Sequence, residues 1–139
     1  FEQWHDGLGY PLELLPRLNA GEKEQLTRLL RQRLAGGGSW RDAEALAFLA
    51  GEGELLAWLE HPQAEVRRYA WRRTQGVPEE EVLVGIAEVQ AMENLDETIQ
   101  LAAENNSAHV RRALLRQVQE HEDPVVRVHL AALLWHLCG

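Results

Sequence analysis

The chain has 139 residues, of which 45% are hydrophobic, so it is long enough and apolar enough for one packed domain and is not a disordered segment. Its net charge of −8 argues against non-specific nucleic-acid binding and favours a basic partner. The single cysteine, Cys138, excludes a disulfide within the chain. Together with the lack of a visible signal peptide or membrane-spanning run, it favours a cytoplasmic protein.

Apolar spacing predicts about nine short helices joined by short connectors, which makes neighbouring helices antiparallel. Residues 1–10 contain two glycines and no periodicity, so we expect an irregular N-terminal arm within a single domain over 1–139. The predicted helices cover about 12–18, 20–35, 39–50, 55–59, 66–75, 78–89, 95–102, 107–118 and 124–137.

Polar residues that start helices separate several of these segments. Ser39, followed by Asp42, predicts a capping box, and Asn94 and Ser107 are predicted N-caps. The sequence VLVGIAEV at 82–89 could form a strand by propensity, but the acidic residues before it favour the first turn of a helix.

Three segments align without gaps: PQAEVRRYAWRR at 62–73, NSAHVRRALLRQ at 106–117 and EDPVVRVHLAAL at 122–133. In each, a turn is followed by valine and then arginine. This pattern resembles the second helix of a HEAT repeat. The weaker likeness of the first half, with its WRDAEALA stretch, is to bacterial HEAT-containing proteins. The resemblance implies an all-α fold in which short antiparallel helical hairpins stack as an α-solenoid, whose inner helices line a concave surface that binds partners.

The spacing of the three segments departs from a regular solenoid. The valines are Val66, Val110 and Val126, and the last two are too close for successive repeats of roughly 30–45 residues. The last two segments are therefore successive helices of a degenerate array.

The arginines of the three segments, Arg67, Arg111 and Arg127, have two interpretations. In HEAT repeats the equivalent arginine bonds a turn carbonyl or an acidic residue of a neighbouring repeat, which makes it structural. Alternatively, it faces a ligand. The next arginines, Arg68 and Arg112, have no such role in the family, and we expect them to face solvent.

Tryptophan is abundant for a chain of this length, with five residues. We predict that Trp58 and Trp135 lie in the core, since large aromatic rings fill gaps between thin helical layers. Trp71 lies in an arginine-rich helix and is predicted to be half-exposed. Trp4, in the N-terminal arm, fits packing and partner contact equally well.

Charge is strongly segregated along the chain. Residues 77–106 contain eight acidic residues and no lysine or arginine, whereas residues 61–76 contain four arginines and one acidic residue. Helix N-termini favour acidic residues, which explains part of this pattern. We attribute the absence of lysine and arginine over residues 77–106 to an electrostatic field that steers a partner of opposite charge. We hypothesise a protein-binding surface that comprises Glu80, Glu81, Glu88, Glu93, Asp96, Glu97, Glu104, Arg68 and Trp71.

The sequence contains no recognisable motif for metal binding or for catalysis. His129 and His136 are seven residues apart rather than the three or four of a common zinc pair, and no cofactor, metal or catalytic residue is predicted. Two functions remain. One is a protein–protein interaction module for a basic partner, for example a bacterial immunity protein that neutralises a toxin. The alternative is a HEAT-type enzyme such as a bilin-lyase-like protein. A HEAT-like DNA glycosylase would need a basic groove to hold DNA, and the net charge of −8 argues against that function.

Overall fold

The computed structural model describes residues 11–89 and 95–139, and within these ranges the chain is helical and has no strand. The predicted all-α class is therefore confirmed. In chain order the helices are a first 3-10 helix (Leu12–Arg17), α1 (Ala20–Ala35), α2 (Trp40–Ala50), a second 3-10 helix (Glu52–Trp58), α3 (Ala64–Thr74), α4 (Glu79–Ala87), α5 (Leu95–Glu104), α6 (Ala108–Glu120) and α7 (Pro124–Leu137).

Helix boundaries agree closely with the capping signals. Ser39 forms the predicted capping box with Asp42, and the side chain of Ser107 accepts from the backbone N–H of Val110. The segment at 82–89 is helical as far as Ala87, so the acidic first turn outweighs its β-propensity. The predicted arm at 1–10 and the predicted cap Asn94 lie outside the described residues.

The chain divides into two compact units, Phe1–Gln75 and Gly76–Gly139. In the first unit, α2 contacts α1, α3 and the second 3-10 helix. Because α2 is rich in alanine, its neighbours approach closely on several sides. The buried side chains of this core include Leu30, Leu34, Ala43, Leu46, Leu55, Val66 and Ala70.

The turn between α1 and α2 explains the glycine run. Gly38 has φ +61°, and a Cβ there would lie 3.0 Å from Asp42 Oδ2 and 3.1 Å from the carbonyl oxygen of Arg33. Asp42 is 1% exposed, and its other oxygen accepts from Arg33 Nε at 3.0 Å. The glycine thus admits a buried carboxylate that caps α2 and pairs with the end of α1.

In the second unit, α4 contacts α5 and α6, and α7 contacts the same two helices. Each helix therefore has two neighbours around a shared core. Its fully buried side chains include Val82, Ile86, Leu101, Val110, Leu114, Val126 and Leu130. No helix in the described ranges has the length and apolar character needed to cross a membrane.

Candidate functional site

Acidic residues recur on the outward side of α4. Glu80, Val84 and Glu88 follow at i, i+4 and i+8, which places them on one helix face, and all three are exposed. The opposite face carries the buried residues Val82 and Ile86. Because α4 packs on the core through Val82 and Ile86, its opposite face, which carries Glu80 and Glu88, is exposed to solvent.

Helix α5 repeats this arrangement. Asp96, Gln100 and Glu104 are exposed at i, i+4 and i+8, while Leu95 and Leu101 are buried. Helices α4 and α5 contact each other, and we name their exposed acids, Glu80 and Glu88 on α4 and Asp96 and Glu104 on α5, the acidic rows.

Two further predicted acids differ from the acidic rows in exposure. Glu81 and Glu97 are half-buried, and Glu93 lies outside the described residues. Within the second unit, neither α4 nor α5 contains a lysine or arginine that could neutralise the rows from its own helix. Neither helix therefore adds a positive charge of its own beside its acidic residues.

Glu79 has a different role from the acids that follow it. Its Oε1 accepts a short hydrogen bond from the hydroxyl of Ser107, and Nδ1 of His109 lies 3.2 Å away. The Ser107 bond, with a smaller contribution from His109, lowers the pKa of the Glu79 carboxyl. Glu79 therefore ties the start of α4 to the start of α6.

The three repeat arginines all bond turn carbonyls in the structure. Arg67 donates to the carbonyl oxygen of His61 at 2.9 Å, Arg111 to that of Asn106 at 3.0 Å, and Arg127 to that of His121 at 3.0 Å. Each arginine thus holds the turn that precedes its own helix, which favours the structural interpretation.

Two of these turns each contain a histidine that the sequence analysis missed, His61 in one and His121 in the other. His61 Nδ1 accepts from the backbone N–H of Gln63 at 3.0 Å, and His61 Nε2 lies 2.7 Å from the carbonyl oxygen of Leu34. With Nδ1 as the acceptor, Nε2 carries the hydrogen and donates a hydrogen bond to the carbonyl oxygen of Leu34, near the end of α1. We name this arrangement, with Arg67, the first histidine–arginine turn.

The second unit contains the same arrangement around His121. Its Nδ1 accepts from the backbone N–H of Asp123 at 3.0 Å, and its Nε2 donates to the carbonyl oxygen of Val89, also at 3.0 Å, just beyond α4. With Arg127 it forms the second histidine–arginine turn. His61 and His121 lie six residues before Arg67 and Arg127, and this spacing was a signal for the shared arrangement. The aligned segments begin at 62 and 122, so the alignment did not include either histidine.

Arg68 and Trp135 contradict the sequence predictions. Arg68 was expected to face solvent and was assigned to the partner surface, but it is only 7% exposed. Helical spacing places it opposite the buried Val66, so α3 is covered on more than one side. Trp135 was predicted to be core, but it is 84% exposed, because α7 buries Val126, Leu130 and Leu133 instead.

Trp58 and Trp71 behave more nearly as expected, and Trp4 lies outside the described residues. Trp71 is half-buried, as predicted. Trp58 packs against the core of the first unit while remaining partly exposed, with its ring edge-on to His61 at a centroid distance of 6.0 Å. Arg112 is exposed, as predicted.

The second unit also has a groove between α4 and α6 of about 450 Å³ that is open to solvent. It is lined by Glu79, Leu83, His109, Arg112, Ala113 and Arg116. A second open groove of about 560 Å³ lies beside His121. Among the described residues, no three His, Cys, Asp or Glu side chains come together in a way that could hold a metal ion.

Comparison of the chain with protein-family models, with curated proteins and with solved structures found no match.

Proposed function

We propose that the chain is a protein-interaction module that binds a basic protein through the acidic rows of α4 and α5. The observation that carries the proposal is the exposure of Glu80, Glu88, Asp96 and Glu104 on two contacting helices without lysine or arginine. Such a field accelerates the encounter with a partner of opposite charge and disfavours like-charged partners.

A concrete form of this proposal is a cytoplasmic bacterial immunity protein that covers the active site of a basic toxin. A toxin that acts on nucleic acid needs a positively charged site for phosphates. Carboxylates spaced along α4 and α5 would occupy that site in place of phosphates. The half-buried Trp71 on α3 belongs to the first unit and is a separate candidate contact, since tryptophan is enriched among the residues that dominate interface energy.

We also propose a degenerate HEAT-like stack as the architecture that presents these rows. Two features support it. Each helix of the second unit contacts two others, as expected for two hairpins in two layers. The Val-Arg turns before α3, α6 and α7 each have the arginine on a turn carbonyl.

The enzyme alternative would require a deep apolar pocket with a few convergent polar groups. The groove between α4 and α6 is open and lined largely by charged side chains, including Glu79, Arg112 and Arg116. This character favours the interaction module over a bilin-lyase-like catalyst.

The test uses the chain as bait in a native lysate, in parallel with a variant that carries Glu80→Lys, Glu88→Lys, Asp96→Lys and Glu104→Lys. A matched control reverses four exposed acids of the first unit with the same change in net charge: Glu13→Lys, Glu24→Lys, Glu60→Lys and Glu65→Lys. We expect a basic protein to be retained by the wild type and the control and lost by the first variant.

The captured protein is then purified, and its association rate is measured over a salt series. The wild-type rate should fall steeply with ionic strength, and reversing the acidic rows should remove most of that dependence. Equal capture by all three baits, or an equal loss in both variants, would show that the acidic rows do not define the binding surface.

A further inference from the structure

The side of α6 that lines the groove with α4 is basic, although the chain as a whole is acidic. Helix α6 contains three arginines and one acidic residue, Glu120. Arg112 and Arg116 are exposed, lie four residues apart on one helix face, and line the open groove of about 450 Å³ between α4 and α6. The α4 side of this groove is lined by Glu79 and Leu83. Two guanidinium groups and an apolar side chain therefore border the same groove.

Within the described residues, neither arginine of the groove is paired with a carboxylate. Arg112 donates from Nε to the carbonyl oxygen of Ala108 at 3.4 Å, and Arg116 makes no hydrogen bond or ion pair in these ranges. The acid of the groove, Glu79, is bonded instead to the hydroxyl of Ser107. Both guanidinium groups therefore keep N–H donors for a ligand.

The first unit shows a different arrangement of its arginines. Arg31, Arg33 and Arg73 each form an ion pair with a carboxylate of the same unit, the longest of them at 3.2 Å. The arginine pair on α6 is thus a positive site that the surrounding helices leave open on an acidic molecule.

We propose that the groove between α4 and α6 binds an acidic helical segment of a partner protein. The segment carries two carboxylates at i and i+4, and each accepts hydrogen bonds from one arginine. Arg112 and Arg116 are about 6 Å apart along the axis of α6, which is also the separation of two side chains at i and i+4 of the segment. An aliphatic side chain of the segment packs on Leu83 and Ala113, as in other helix-in-groove complexes.

The charges around the groove favour carboxylates over phosphates. Glu80 and Glu88 lie on the neighbouring face of α4 and repel a long polyanion such as a nucleic acid, as does the net charge of −8. Glu79, inside the groove, repels a doubly charged phosphate more strongly than a singly charged carboxylate. A short segment with two carboxylates matches the two arginines without meeting the acidic rows.

Two helical peptides of about 15 residues provide the probes. One has glutamates at i and i+4 and a leucine at i+3, and the other has glutamines in place of both glutamates. Titrated into the isotope-labelled chain and followed by NMR, the glutamate peptide should bind at least about fivefold more tightly than the glutamine peptide. The signals that move should be those of Leu83 and residues 112–116, including the side-chain Nε–H of both arginines.

The variant Arg112→Gln with Arg116→Gln should bind the glutamate peptide at least about fivefold more weakly. The matched control, Arg17→Gln with Arg28→Gln, removes the same charge from exposed positions of the first unit and should stay within about twofold of the wild type. Circular dichroism and the urea midpoint check that both variants are folded. Arg116→Gln alone gives a second test, since Arg116 bonds no other described residue.

This proposal does not depend on the acidic rows. The variant that reverses Glu80, Glu88, Asp96 and Glu104 should lose the basic partner and still bind the glutamate peptide at least as tightly as the wild type, so the two proposals fail separately.

Four outcomes would overturn the groove as a site for an acidic segment. The two peptides could bind equally, or not at all up to about 1 mM. The two double variants could weaken binding equally. The NMR signals that move could lie outside the groove. Inorganic phosphate or a single-stranded oligonucleotide could bind the two arginines more tightly than the glutamate peptide does, which would assign them to phosphates.

Discussion

His61 donates from Nε2 to the carbonyl oxygen of Leu34 at 2.7 Å, and this bond joins the turn before α3 to the end of α1. The last carbonyl groups of a helix have no partner within the helix. His61 is 5% exposed and supplies such a partner from 27 residues away in the sequence. The same imidazole accepts the N–H of Gln63, so one side chain satisfies two backbone groups.

Replacing His61 by alanine should lower the free energy of unfolding by about 1–3 kcal/mol, because it removes the imidazole hydrogen bonds to the carbonyl oxygen of Leu34, which keeps only the backbone N–H of Gly37, and to the N–H of Gln63. Urea unfolding followed by circular dichroism measures the change. Glu60→Ala, at the exposed preceding position, should stay within about 0.5 kcal/mol of the wild type. Equal effects of the two substitutions would show that the imidazole bonds do not stabilise the fold.

Arg127 tests the structural interpretation of the repeat arginines. Its guanidinium donates to the carbonyl oxygen of His121 at 3.0 Å, and a hydrogen bond from a charged donor contributes about 1.5–3 kcal/mol. Arg127→Gln should reduce stability by that order, whereas Arg112→Gln, at an exposed position on α6, should have little effect. The comparison is made by urea unfolding at a single low protein concentration. A neutral Arg127→Gln would contradict the turn-holding role.

The lowered pKa of the Glu79 carboxyl predicts that the stability of the fold depends on pH. Its pKa is lowered below the ordinary value of 4.5, first by the Ser107 hydroxyl and then by His109. A carboxylate whose folded pKa is depressed adds stability above its unfolded pKa and loses it as the pH falls through the folded pKa. The stability difference between wild type and Glu79→Gln should therefore be full near neutral pH and shrink below about pH 4.5.

Thermal unfolding of Glu79→Gln and Glu80→Gln across this range provides the comparison. Glu80 is exposed and loses the same charge, so it controls for net charge alone. A difference between wild type and Glu79→Gln that stays constant down to strongly acidic pH would contradict the Ser107 contact as the source of the effect.

Much of the local structure could be read from the sequence because it depends on neighbouring residues. The capping box of Ser39 and Asp42 and the cap at Ser107 join residues three apart, and both form as predicted. The Val-Arg pattern likewise marks turns whose arginine bonds a carbonyl five or six residues earlier. These contacts lie within one turn and helix, so short windows of sequence contain them.

Within the described residues, the sequence by itself determined which segments are helical, where the helices capped by Ser39 and Ser107 start, and which segments carry the negative charge. Only the tertiary structure decided which sides of the helices are covered. It buries Arg68, exposes Trp135 and sets His61 against Leu34. The physical reason is that periodicity defines an apolar face for each helix, while burial depends on which faces meet, and those contacts join residues far apart in the chain.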